Sequence, residues 1–195
     1  MNPITQIIND RNEARKLGDS NADTCFLALA DKQGQASVRT LVLRNISDNR
    51  FTLFVNKTSP KWQLLQAGAS YELLLWYPSM QRQYRVAGSM LEIDPTLIKT
   101  NWMRRPLGSK LLDHVYHSMS AQSSEIDSRN ALVTEIARLR QTHKIDDMPA
   151  PEGVGGVELI ATRIEMLDLN SDDRIHDRQI FRLHEDSWQA TVLIP

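Results

Sequence analysis

The sequence has 195 residues, 41% hydrophobic and 24% charged, and its 23 Lys and Arg residues nearly balance its 24 Asp and Glu residues. This length and composition predict one globular domain spanning residues 1–195, and a formal net charge of −1 argues against a nucleic-acid or anionic-membrane partner. The lone Cys25 excludes an intrachain disulfide, no apolar run approaches the ~20 residues of a membrane span, and the polar start lacks a secretory pattern, so we expect a soluble, cytoplasmic protein.

The first half of the chain predicts a helix followed by strands. Residues 3–17 have the apolar spacing of an amphipathic helix, with Gly18 just beyond its end, so residues 1–18 form an N-terminal helix. Short apolar runs then predict strands at 24–31, 36–44, 50–55, 71–77 and 83–94. We expect a turn at 45–49, and Ser59-Pro60 predicts the start of a helix that ends before Gly68.

The second half predicts a helical insertion followed by more strands. Residues 95–144 have helical periodicity, with Ser124 and Asp127 as a capping-box variant for the last helix. A Pro- and Gly-rich loop at 148–156 leads to strands at 157–169, 178–184 and 188–194, with a hairpin turn at 184–187. Strands at both ends with helices between them predict an α+β fold built on an antiparallel, barrel-like sheet.

The segment from Arg174 to Arg178 is the most informative polar motif. If it is a strand, Arg174, His176 and Arg178 project from one face, because residues two apart share a face. Three donor side chains without a carboxylate among them favour an anionic ligand. A solvent-exposed strand face is the alternative.

Lys61 and two strand arginines also indicate an anion. Lys61 takes the second position of the helix that Ser59-Pro60 begins, where a cation opposes the helix dipole unless it helps to hold a phosphate; a solvated lysine is the alternative. Arg39 and Arg44 lie in an apolar strand but have opposite parity. A bulge, contacts with different parts of a ligand, or one external arginine would each explain this.

Three further segments carry weaker signals. The basic segment 104–110, interrupted by Pro106 and Gly108, predicts a phosphate-binding loop, although charged loops are common. Gln83 can hydrogen-bond a heterocycle or simply be a surface residue, and Gln122-Ser123 can contact a ligand or cap a helix. No metal site is predicted, since His114 and His117 lack supporting ligands. Together these clusters predict a phosphorylated cofactor with a phosphorylated substrate.

The chain resembles the pyridoxamine 5'-phosphate oxidase family. The resemblance runs from about Thr24 to Pro195 through VRTLVLR, LFVNKTSPKWQLL, MQRQYRVAGSMLEI, RRPLGSK, SAQSSEI and RIHDRQIFRL, in that order. It implies an antiparallel split β-barrel with peripheral helices, a homodimer with FMN at its interface, and no metal.

The resemblance also implies roles for individual residues. Arg174 and His176 would be catalytic and would line the substrate beside the flavin, and Arg105 and Ser109 would hold the substrate phosphate. The cofactor-binding set would be Arg39, Arg44, Phe54, Val55, Lys61, Gln83, Gln122, Ser123 and Arg178, with Arg44 also near the substrate and Gln122-Ser123 reaching FMN from the partner subunit.

The chain departs from the family pattern at several positions. Arg44 replaces a lysine and Phe54-Val55 replaces Tyr-Thr. Pro60 replaces an arginine and Asn101 a tyrosine, and the flavin-contacting tryptophan of the family is absent around Asp168.

The activity that the resemblance implies is oxidation of pyridoxamine or pyridoxine 5'-phosphate, in vitamin B6 metabolism. Hydride would pass from substrate C4' to flavin N5, with O₂ reoxidising the flavin. The alternatives are an FMN enzyme for a different substrate, a non-catalytic protein that binds FMN or pyridoxal phosphate, and a structural α+β domain.

Overall fold

The computed structural model describes residues 2–142, 148–169 and 172–195. Within these residues the α-helices are α1 (Pro3–Lys16), α2 (Pro60–Gln66), α3 (Pro95–Arg104), α4 (Leu107–Ser118) and α5 (Arg129–Thr142), with a 3₁₀ helix at Pro78–Met80. Its nine strands are β1 (Thr24–Ala30), β2 (Ala36–Val42), β3 (Asn45–Ser47), β4 (Arg50–Asn56), β5 (Ser70–Tyr77), β6 (Arg82–Glu92), β7 (Val154–Asp168), β8 (Asp177–His184) and β9 (Ser187–Val192). The predicted α+β class is confirmed.

All nine strands belong to one sheet. Its main path has the order β2-β1-β5-β6-β7-β4-β3, and β8 pairs with both β7 and β9. The β1–β2, β1–β5, β3–β4, β5–β6, β7–β8 and β8–β9 pairs are antiparallel. Residues 185 and 186 form the predicted hairpin turn between β8 and β9.

The chain forms two compact units. The first comprises Met1–Leu53, Gly68–Leu91 and Glu158–Pro195, and the second comprises Phe54–Ala67 and Glu92–Val157. The assignment of residues 1–195 to a single domain stays a prediction. No helix among the described residues is long and apolar enough to cross a membrane.

The first unit has its core on one face of the sheet. Alternate residues of β1 and β5 are fully buried, among them Leu27, Leu29, Leu73 and Leu75, as the period-two pattern of a strand requires. Cys25 is buried on the same face of β1 and is a free thiol. Ile4, Ile7 and Ala14 form the buried stripe of α1.

Gly88 shows how closely β6 approaches β7. A β-carbon at this position would lie 1.9 Å from the carbonyl oxygen of Ile160, so no other residue fits without moving the backbone. The Tyr71 hydroxyl also donates to that carbonyl oxygen, at 3.2 Å. Strand spacing at this point therefore depends on the glycine.

The second unit has a separate apolar core. Its buried members are Trp102, Leu111, Val115, Leu139, Met148 and Val154. The Trp102 indole N–H donates to the Met148 carbonyl oxygen at 2.7 Å, which satisfies the one polar atom of that buried ring. These contacts join α3, α4 and α5 to the segment that leads into β7.

Several predicted boundaries are wrong. A short strand, β3, occupies part of the predicted turn at 45–49, because its backbone pairs with β4. Strand β7 begins at Val154 and includes two glycines assigned to the preceding loop. Helix α5 begins at Arg129 and is capped by Ser128, whose hydroxyl accepts from Ala131 N at 3.2 Å, so the predicted capping box does not form. Residues 143 and 144 of the predicted helical insertion lie outside the described residues.

Candidate functional site

Arg39 is a half-buried cation with an unsatisfied donor. It lies opposite the buried Leu27 in the β1–β2 pair, so its side chain leaves the sheet on the core side. Its Nη2 donates to the Ser37 hydroxyl at 2.7 Å, whereas Nη1 is buried and has no acceptor among the described residues. Burial lowers the pKa of the guanidinium, since desolvation disfavours its charge. A buried donor without a partner is costly, and an anion would satisfy it.

Arg44 lies outside β2. The strand ends at Val42, and Arg44 is an exposed residue whose backbone N–H donates to Thr52 O at 3.0 Å. The parity of Arg39 and Arg44 is therefore no obstacle, because the two arginines are not on one regular strand.

Arg178 belongs to a group that we call the charged face, comprising Glu72, Arg85, Glu165 and Arg178 on β5, β6, β7 and β8. Glu165 is 5% exposed, and its two oxygens bind two different arginines. Oε1 accepts from Arg178 Nε and Oε2 accepts from Arg85 Nη2, each at 2.9 Å. Glu72 forms a second ion pair with Arg85 at 2.7 Å. Gln83 is half-buried two residues before Arg85 and thus on the same side of β6.

Arg174 and His176 do not share a strand face with Arg178. Strand β8 begins at Asp177, and Arg174 has a left-handed backbone with φ of 61°. The argument from strand periodicity is therefore wrong for this motif, because the chain turns before it enters β8. Arg174 is exposed and His176 is half-buried.

In the second unit, Lys61 and Gln122 are in contact. Lys61 is the second residue of α2, as predicted, and its Nζ donates to Gln122 Oε1 at 2.9 Å. The Gln122 backbone N–H donates to the Thr58 hydroxyl at 3.0 Å. Gln122 and Ser123 lie between α4 and α5, and Ser123 has a left-handed φ of 74°. Two residues predicted to bind FMN thus lie together in this unit.

Arg105 is paired with a buried carboxylate. Its Nη2 lies 2.7 Å from Asp113 Oδ2, and the two side chains are 16% and 4% exposed. Asn56 donates to the other Asp113 oxygen at 3.0 Å. Burial raises the pKa of Asp113, although the Arg105 charge acts in the opposite direction. Arg105 Nε is buried and has no acceptor among the described residues.

The segment 104–110 is not the predicted loop. Helix α3 ends at Arg104 and α4 begins at Leu107, so Ser109 lies in the first turn of a helix. Proline at position 106 ends one helix and precedes the next, which its missing N–H and fixed φ allow. Ser109 is half-buried there and its backbone N–H donates to Pro106 O at 3.0 Å.

Phe54 and Val55 are consecutive residues of β4. Phe54 is half-buried, whereas Val55 is 4% exposed and packs as an apolar residue. Their side chains point to opposite sides of the strand. Their assignment to the cofactor stays a prediction.

The residues present fit an anionic cofactor such as FMN. Arg39 keeps a buried donor for a phosphate oxygen, and Gln83 presents an amide with both donors and an acceptor beside the charged face. In the second unit, Lys61 and Gln122 add a cation and an amide. Within each unit these side chains are of the chemical types that hold a phosphate or the polar edge of a flavin.

The fold matches solved structures of split-barrel proteins. PhzG from Burkholderia lata, solved in complex with tetrahydrophenazine-1-carboxylic acid, superposes with a TM-score of 0.87 at 24% identity over 99% of this chain and 92% of its own. A pyridoxamine 5'-phosphate oxidase-related, FMN-binding protein from Nostoc punctiforme gives a TM-score of 0.77 at 15% identity over 100% and 98% of the two chains. The predicted split-barrel fold is therefore confirmed.

The chain belongs to the pyridoxamine 5'-phosphate oxidase family. The family model matches residues 13–143. A pyridoxine/pyridoxamine 5'-phosphate oxidase of Ralstonia pickettii is 33% identical over 194 residues, 99% of this chain and 89% of the relative. One from Pseudomonas putida is also 33% identical, over 89% of this chain and 79% of the relative. Family membership supports the predicted cofactor, FMN.

Two polar residues of these clusters were missed at the level of sequence. Glu165 lies within an apolar strand and Asp113 within a helix, and both are at least 95% buried. The available signal was a carboxylate flanked by apolar neighbours, as in RIEML and LLDHV, since a buried acid requires a partner. That signal does not identify the partner.

Proposed function

We propose that this chain is an FMN-dependent oxidase acting on an amine or alcohol of the pyridoxamine or pyridoxine 5'-phosphate type. FMN, when bound, supplies the hydride acceptor. The observation that carries the proposal is the buried, unmatched Nη1 of Arg39, at a family position for the cofactor phosphate. Family membership along nearly the whole chain supports the same conclusion.

In this proposal the chain's own residues bind and orient the reactants. The family resemblance assigns Arg39 and Lys61 to the cofactor phosphate, and Gln83 and Arg178 to the flavin. Arg174 and His176 align the substrate at its reacting carbon, and Arg105 with Ser109 binds its anionic end. Alignment of this kind converts binding energy into rate.

The first experiment is anaerobic mixing of FMN-loaded protein with pyridoxamine 5'-phosphate, followed by visible absorption. We expect the flavin band to bleach and to return when air is admitted. A flavin that stays oxidised with both pyridoxamine and pyridoxine 5'-phosphate would contradict this activity. A protein that takes up no FMN would contradict the cofactor as well.

A second candidate is an FMN enzyme for a substrate with a weaker anion than phosphate. The Arg105–Asp113 ion pair favours it, because the carboxylate offsets the charge that a phosphate dianion needs. Asn101 in place of the family tyrosine points the same way. The PhzG structure shares this fold and holds a carboxylic acid. Bleaching by such an acid, with no response to pyridoxamine 5'-phosphate, would select this candidate.

Arg174 tests the substrate assignment separately from the cofactor. We expect Arg174→Ala to lower turnover at least about tenfold and to leave FMN affinity within about twofold, since loss of a charged contact costs ~1.5–3 kcal/mol. Arg174→Gly is the matched variant, because glycine adopts the observed positive φ without strain and removes the same side chain. Equal losses of turnover and FMN affinity would reject the assignment.

We also propose a homodimer. Strand β2 is at one end of the main sheet path, and its outer face exposes Val38 and Val42 at 68% and 49%. An edge strand with exposed valines is a surface that proteins usually cover. Sedimentation velocity of the FMN-loaded protein would test this, and a monomer at micromolar concentration would contradict it.

A further inference from the structure

Glu165 lies at the centre of the charged face and has no assigned role. In the β7–β8 pair, Leu167 is directly opposite Arg178, so Glu165 is the diagonal neighbour of Arg178 on the same face. Its carboxylate accepts from Arg178 Nε at 2.9 Å. The contact therefore follows from strand register and does not depend on a flexible loop.

Both arginines that contact Glu165 are partly exposed, whereas the carboxylate is not. The side chains of Arg178 and Arg85 are 30% and 36% exposed, against 5% for Glu165. A buried carboxylate between two arginines is stable because each of its oxygens accepts a charge-assisted hydrogen bond. The buried carboxylate thus fixes the geometry, while both arginine side chains remain partly accessible to solvent.

The geometry points to Glu165 as a positioning residue that holds the Arg178 guanidinium in the orientation required for flavin binding; this rests on the proposed function, in which Arg178 contacts FMN. The carboxylate engages Nε, and Nη1 lies 3.4 Å from the Ile194 carbonyl oxygen. The contact with the buried carboxylate restricts rotation about the long side chain, so less entropy is lost when a ligand binds.

Glu72 provides a matched control on the same face. It also pairs with Arg85, at 2.7 Å, and lies 3.6 Å from Arg163. None of the contacts described for Glu72 involves Arg178. Glu72→Gln therefore removes a carboxylate partner of Arg85 and leaves the Glu165–Arg178 contact in place, while Glu165→Gln weakens both.

The test is FMN titration of the apoprotein by quenching of flavin fluorescence, with visible circular dichroism of the bound flavin as a second readout. We expect Glu165→Gln to raise the Kd for FMN about tenfold and to change the dichroism, and Glu72→Gln to change the Kd less than about threefold. In an Arg178→Gln background, Glu165→Gln should have little further effect, because the residue through which it acts is gone.

Equal effects of Glu165→Gln and Glu72→Gln, or additive effects of Glu165→Gln and Arg178→Gln, would overturn the inference while leaving FMN binding intact. Parent protein that fails to bind FMN would overturn the proposed function and this inference with it. If Glu165→Gln does not fold, Arg178→Lys decides. Lysine keeps the charge but lacks the Nε–H that Glu165 orients, so parent affinity in that variant would reject a positioning role.

Discussion

The arginines of the two units have different hydrogen-bond and ion-pair partners. In the first unit, Arg39 keeps a buried donor without an acceptor among the described residues, and two arginines share one buried carboxylate. In the second unit, Arg105 also keeps a buried donor, Nε, without an acceptor among the described residues, but it is paired with a buried carboxylate, Asp113. Cofactor binding and substrate binding therefore have unequal chemical support, because the charge of Arg105 is already offset by a carboxylate whereas Arg39 has no ion pair among the described residues.

This difference in ion pairing affects the proposed cofactor contact and the proposed substrate contact in opposite ways. Arg39 is proposed to contact the cofactor, and a phosphate there would remove an existing desolvation penalty. A phosphate at Arg105 would instead compete with a carboxylate that the fold has already buried. The Arg105–Asp113 ion pair and Asn101 both affect the anionic end of the substrate, whereas the departures at Phe54 and Val55 fall on proposed cofactor positions.

The largest expected effect is that of Arg39→Ala on FMN affinity. We expect the Kd to rise about 10- to 100-fold, because a charge-assisted contact worth ~1.5–3 kcal/mol is lost. Fluorescence titration of the apoprotein measures this. Arg182→Ala is the control, since it removes an exposed arginine from another strand of the same unit. If Arg39→Ala binds FMN with the affinity of the parent, or if Arg182→Ala loses as much FMN affinity, the assignment of Arg39 to the cofactor is contradicted.

Asp113→Asn should have a smaller effect, on substrate preference. Asparagine keeps the size and an acceptor oxygen but removes the charge that offsets Arg105. We expect the ratio of kcat/KM for pyridoxamine 5'-phosphate over unphosphorylated pyridoxamine to rise about three- to tenfold, equivalent to ~0.7–1.4 kcal/mol.

Glu135→Gln is the control for that experiment. Glu135 pairs with Arg138 on α5, so the variant removes another paired carboxylate of the second unit. A lower phosphate preference in Asp113→Asn would mean that the carboxylate positions Arg105 and does not limit its charge. That result would reverse our interpretation of the ion pair.

The sequence predicted those parts of the fold that local signals determine. Ser59-Pro60 marked the start of α2, and the apolar spacing of residues 3–17 marked α1. Strand β3 was missed because it depends on pairing with β4, which no local pattern encodes. The same holds for the candidate site. Residue identities alone predicted anion binding, but the left-handed turn at Arg174 and the pairing of Arg105 with Asp113 depend on tertiary structure.

The smallest expected effect is on alkylation of the Cys25 thiol. This reaction reports whether the core of the first unit stays packed when the cofactor is absent. Burial raises the pKa of its thiol to about 12, and the side chain is fully buried in β1. At about pH 8 we expect no alkylation by iodoacetamide in either the apo or the FMN-loaded protein, because the thiolate is the reactive form and an ordinary thiol has a pKa of about 8.5. Mass spectrometry measures the adduct, and urea-unfolded protein is the positive control.

The raised pKa of Cys25 also has a consequence for stability, with a definite sign. The folded state holds the thiol proton more tightly than the unfolded state. The thiol's contribution to the free energy of unfolding is therefore fully present below the ordinary thiol pKa and is lost as the pH rises toward about 12. Cys25→Ser removes this contribution, so the urea midpoint of the parent should fall more steeply than that of the variant between about pH 8 and pH 10.

In the alkylation experiment, rapid modification of native apoprotein at about pH 8 would show that the first unit opens without FMN. In that case the buried Nη1 of Arg39 would lie in a core that is fully packed only when the cofactor is bound.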